Sequence, residues 1–143
     1  MRFIPASFLY PVVLGLLTTP VTAYSHHAFS AEYDAEKPFE VKGKLTKMEW
    51  INPHSFIYVD KVGDDGAVTN WKVEFGGPNA LLRRGLRKSD FPLGVEVNIN
   101  GYLAKSGKPA LIASTVVLPD GRSLYAGSEG TGAPGDPSAT RQQ

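Results

Sequence analysis

The chain has 143 residues, no more than one domain's worth. Its 15 Lys and Arg stand against 14 Asp and Glu, so it lacks the basic excess that a nucleic-acid partner would need. It has no cysteine, which excludes disulfides, thiol catalysis and cysteine metal sites while leaving an oxidising compartment open to it.

The N-terminus reads as a secretory signal peptide over residues 1–23. Arg2 is the only charge before Glu32, an apolar run from Phe3 to about Leu17 follows, and small residues close it from Thr18 to Ala23. Pro5 and Pro11 break the run, and a spanning helix needs about 20 apolar residues, so a retained anchor is the lesser reading. The small-residue rule allows cleavage after Ala23, releasing Tyr24, or after Ser25, releasing His26. Either cut removes one basic residue and no acid, so the mature chain is near neutral and no electrostatic membrane docking is expected. The expected location is the periplasm or the extracellular space.

Residues 24–37 read as an N-terminal arm. "FEVKGKLTKMEW" (39–50) alternates, with Phe39, Val41, Gly43 and Leu45 against Glu40, Lys42, Lys44 and Thr46, the period of a half-buried strand. Gly43 suggests a bulge or bend there. "INP" breaks this strand, and "HSFIYVDKV" (54–62) forms a second, rich in β-branched and aromatic residues. "GDDG" is a turn, and "VTNWKVEFG" (68–76) is a third strand with Trp71, Val73 and Phe75 on one face. "PNALLRRGL" (78–86) reads as a short helix ended by Gly85. "VEVNINGYL" (95–103) and "ALIASTVVL" (110–118) are the fourth and fifth strands, joined at "KSGK", and "PDGRSLY" adds a turn and a short final strand.

Three strands, a helix and two strands is the order of an OB-fold, a five-stranded partly open barrel with its helix between strands 3 and 4. The expected fold is therefore mainly β and OB-like over residues 38–126, with a β-sandwich as the alternative. Residues 127–143 lack any large apolar side chain and read as a disordered tail.

Three motifs occur in order: His-His-x-Phe at 26–29, Asn-Pro-His at 52–54 and Pro-Asn-x-Leu-x-Arg-x-Gly at 78–85. With "LGVEVNINGYLAKSG" and "DGRSLY" they make residues 26–125 resemble the domain of unknown function 6152 family of small secreted bacterial proteins. The resemblance implies export and a single compact domain; it implies no activity.

Chemistry centres on the histidines. His26 and His27 lie on the arm and His54 opens the second strand. Imidazole is the commonest protein metal ligand and suits copper and zinc. If processing exposes His26, its α-amine and ring nitrogen can chelate one ion and His54 can add a third nitrogen, a set similar to the histidine brace of exported copper proteins. The metal candidates are therefore His26, His27 and His54, with copper favoured. The competing reading is a solvated arm beside a turn-capping His54.

The remaining ligand-binding candidates are Trp50, Asn52, Phe56 and Tyr58, plus Arg83 and Arg84. Trp50, Phe56 and Tyr58, with Trp71 and Tyr102, can line an open barrel face for stacking, or pack in the core. Arg83 and Arg84 suit a helix C-terminus, or bind a carboxylate or phosphate bidentately. No nucleophile-elbow, phosphate-loop or metalloprotease motif is present. Three functions compete: a small metal- or ligand-binding carrier, an interaction module that docks on another exported protein, and, last, a small enzyme using the same histidines.

Overall fold

The computed structural model describes residues 26–138, without the side chains of residues 26–28. The signal segment, both cleavage points and residues 139–143 lie outside the described residues. Among those described, no helix is long and apolar enough to cross a membrane.

The elements run α1 (His26–Glu32), β1 (Tyr33–Glu49), β2 (Ser55–Val62), β3 (Val68–Phe75), α2 (Pro78–Arg83), a 3-10 turn (Lys88–Asp90), β4 (Glu96–Ala104), β5 (Ala110–Val117) and β6 (Ser123–Tyr125). The protein is mainly β, with all six strands in one sheet of order β3-β2-β1-β4-β5-β6. The strands number six rather than five because Ser123–Tyr125 pairs with Thr115–Val117. Neighbours are antiparallel except β3 and β5, which pair in parallel at Lys72–Ala110, Val73–Leu111 and Glu74–Ile112. That pairing gives each of β1 to β4 two neighbours and β5 three, so none of the five carries a bare edge along its whole length.

The long β1 changes partner midway. It pairs with β4 from Pro38 to Lys44 and with β2 from Lys44 to Glu49. Gly43 sits at the change, where a Cβ would lie 2.1 Å from the Asp60 carbonyl oxygen, so only glycine lets the strands pass this closely. The register shift itself falls between Leu45 and Lys47. Alternation then builds the core: Val41, Leu45, Ile57, Val59, Val73 and Phe75 are buried, and α2 adds Leu81. Phe91 meets Phe75 edge to face at 5.7 Å. Gly85, at φ 88°, ends the helical segment after Arg83.

The two ends of the domain differ from expectation. Residues 26–32 form a helix rather than an arm, and β1 starts at Tyr33, well before residue 38. Residues 127–138, expected in a disordered tail, lie against the sheet. Ala133 is buried with Phe29 and Ile112 in a second apolar cluster on the outer side, flanked by Tyr33 and Tyr102. The segment substitutes local polar bonds for apolar bulk. The Asp136 carboxylate accepts from the Thr131 and Ser138 backbone N–H groups, and Arg84 donates to the Gly127 carbonyl at 2.6 Å.

Candidate functional site

β2 points Ser55, Ile57 and Val59 inward, which turns Phe56 and Tyr58 outward. His54 stands just ahead of β2, after the cis Asn52–Pro53 peptide bond. On β3 the outward residue opposite Phe56 is Glu74. His54 and Glu74 are diagonal neighbours across the pair, within side-chain reach. His54 Nδ1 lies 2.7 Å from Glu74 Oε1, and the Tyr33 hydroxyl donates to Glu74 Oε2 at 2.8 Å.

Glu74 is thus an outward-facing residue that is nonetheless buried, at 9% exposure. The start of β1 covers it through Tyr33, and α1 and the C-terminal segment cover it through Phe29 and Thr131, which share a cavity of about 80 Å³ with His54 and Glu74. Each carboxylate oxygen has a donor, which is what allows a buried carboxylate to persist. Burial, followed by the adjacent Glu74 charge, pushes the Tyr33 phenol well above the ordinary tyrosine range.

His54 keeps 38% of its side chain exposed. In its neutral form, an imidazole that donates an Nδ1–H hydrogen bond to Glu74 carries its free lone pair on Nε2. A carboxylate behind a histidine is the usual outer partner of a metal-ligating ring, fixing tautomer and orientation. The geometry therefore suits His54 to act as a nitrogen ligand or a base. Among the described residues, no three His, Asp or Glu side chains converge as a metal set. The side chains of His26 and His27 are outside the description, while their backbone begins the helix that carries Phe29 to the His54 cavity.

The other candidates are distributed around this point. Asn52 and Arg83 line a shallow cleft of about 270 Å³ on another side of His54. Gly77 is required there, because a Cβ would meet the Pro53 carbonyl oxygen at 2.5 Å. Trp50 is half-buried against the core, as is Trp71, which stacks on Phe39 at 4.8 Å. Phe56 and Tyr58 remain half-exposed, each under an ammonium group, Lys72 at 4.1 Å and Lys47 at 4.8 Å. Arg83 and Arg84 do hold a carboxylate, and it is the chain's own Glu129, at 3.8 and 2.8 Å. Arg84 also lies 4.8 Å over the Tyr125 ring. Burial, followed by the nearby Asp136 charge, pushes the Tyr125 phenol up to about 12.

Glu74 and Tyr33 are the site residues that the sequence patterns did not single out. The hairpin turn between Val62 and Val68 fixes the register that sets Glu74 opposite Phe56, so Glu74 was within reach of a register argument. Tyr33 was not, because residues 24–37 carry the pattern of an arm rather than of a strand.

The family of unknown function (DUF6152) matches residues 14–113. The chain belongs to that family. The span shared with DUF6152 includes the histidine pair, His54, Tyr33 and Glu74, and it ends within β5, before β6 and the Glu129 segment. No curated protein matches the chain.

Proposed function

We propose that this DUF6152 chain is an exported binding protein of the periplasm or extracellular space, with His54 as a ligand to a metal ion, copper favoured. The cycle of pairings from β1 to β5 supports reading the sheet as an OB-like, partly open barrel with α2 between strands 3 and 4. The observation that carries the metal reading is the 2.7 Å contact from Glu74 to His54 Nδ1, which reserves Nε2 for a ligand. His26, and its α-amine if cleavage follows Ser25, supplies the remaining nitrogens, or His27 takes its place. The role is carriage or delivery rather than turnover.

The test is Cu(II) titration of metal-free protein secreted by a bacterial host, followed by native mass and electron paramagnetic resonance, with the denatured mass fixing the N-terminus. One copper per chain with nitrogen hyperfine structure is expected, lost in His54→Ala and in His26→Ala. Affinity should fall as the pH is lowered, because protons compete with the metal for the ligating nitrogens. Full copper occupancy in His54→Ala, or none in the unaltered protein, overturns the reading. An interaction module is the second reading, supported by Val62 and Val68, both more than 60% exposed beside a groove of about 750 Å³ at the far end of the hairpin.

A further inference from the structure

A second cleft, of about 550 Å³, shares Glu32, Tyr33 and Glu74 with the histidine cavity but is not lined by His54. Its size is that of a small-molecule site. Lys72 on β3 and Lys105 and Lys108 from the β4–β5 turn line it, together with Phe56, Tyr33 and Glu32. We infer that this cleft binds a small organic polyanion, carrying carboxylate or phosphate groups, through Lys72, Lys105 and Lys108.

Three observations carry the inference. First, none of the three lysines makes an ion pair among the described residues, whereas Lys37, Lys42 and Lys47 each have a carboxylate within 4.0 Å. Like charges gathered in one concavity repel, and an anion between them removes that repulsion. Second, two of the ammonium groups are held in place. Lys105 donates to the Ser30 carbonyl at 2.6 Å, and Lys72 lies 4.1 Å over the Phe56 ring. Both contacts leave N–H groups free, since an ammonium carries three. Third, the acids in the cleft do not neutralise the lysines. Glu32 and Glu74 offset two of the three lysine charges and leave the lining net positive, while Asp34 and Glu49, which Lys105 and Lys72 also act on, lie outside the lining. Alanines at 31, 104 and 110 keep the volume open.

The site is independent of the metal reading, so its test uses metal-free protein at low salt, where exposed charges are least screened. Tricarballylate and pyrophosphate are titrated separately and followed by amide chemical shifts. Saturable shifts confined to Lys72, the 104–110 turn and Tyr33 are expected with at least one probe. Saturation by tricarballylate assigns carboxylates, and saturation by pyrophosphate alone assigns phosphates. Lys72→Met and Lys108→Met should each weaken binding about tenfold. Lys42→Met removes the same charge outside the cleft and should leave affinity unchanged. Both lysines are exposed, so neither change threatens folding. The inference fails if neither probe saturates at millimolar concentration, or if Lys42→Met weakens binding as much as the cleft variants.

Discussion

The Tyr33–Glu74 contact offers a quantitative test of what holds the site together. The Tyr33 hydroxyl donates to a buried carboxylate at 2.8 Å. A hydrogen bond to a charged group contributes about 1.5–3 kcal/mol net, so Tyr33→Phe should cost about 2 kcal/mol while the ring keeps its stacking on Phe29. Glu74→Leu preserves apolar volume but strands the Tyr33 O–H and His54 Nδ1–H donors, and should cost about 3 kcal/mol. Adding Tyr33→Phe to Glu74→Leu then removes one stranded donor. In that background the tyrosine change should cost about 0 kcal/mol, a coupling of about 2 kcal/mol. Urea unfolding at pH 7, followed by the fluorescence of Trp50 and Trp71, measures all four proteins, with unchanged m-values confirming a common transition. If Tyr33→Phe costs the same in both backgrounds, the bond contributes nothing and Glu74 is held by His54 and packing alone.

Three further outcomes follow from the same structure. Tyr33 and Tyr125 both titrate above the ordinary tyrosine value, so above about pH 10 the unfolded chain releases protons that the folded chain keeps, and stability falls as pH rises. Tyr33→Phe and Tyr125→Phe should each flatten that alkaline loss in urea midpoints measured from pH 8 to 11. Gly77→Ala drives a Cβ into the Pro53 carbonyl and should cost about 1–3 kcal/mol in the same assay, with the largest shift changes at Asn52 and His54. Arg84→Met removes the bonds to Gly127 and Glu129 and should speed proteolytic cleavage within residues 127–138 severalfold, while thermal unfolding of the sheet moves by only a few degrees.

The strands were legible because each alternates: β2, β3, β4 and β5 begin and end within a residue or two of the expected places. Gly43 was legible as a special point, although its role is the change of partner along β1 rather than the bulge itself. Helix α1 was not legible. "HHAFSAE" has no acid in its first turn and no base in its last, and a helix of 7 residues does not persist alone, so its form follows from docking Phe29 on Ile112 and Tyr102. The composition of residues 127–138 argued for disorder because it offers no apolar bulk. What orders them is Arg84, whose guanidinium suits a helix end or a carboxylate from sequence alone, and an aspartate that closes local turns. His54 was found as a ligand candidate from its residue type, but the partner that orients it lies on a different strand.

Glu74 explains why the short N-terminal motif and the distant Asn-Pro-His belong to one device. A carboxylate facing outward from a sheet is ordinarily hydrated and orients nothing. Here Phe29 seats α1 beside it, Tyr33 donates to it, and Thr131 lines the cavity it shares with His54, so the same contacts that dock residues 26–32 and 127–138 leave the carboxylate only 9% exposed. Drying strengthens its hold on His54 Nδ1, because charge-assisted bonds gain as local polarity falls. Docking of the ends and orientation of the imidazole are therefore one equilibrium. Anything that binds both Nε2 and the start of α1 must stabilise the docked helix by the difference in its affinity for the two states, and a ligand that holds His54 alone gains only the share transmitted through Glu74.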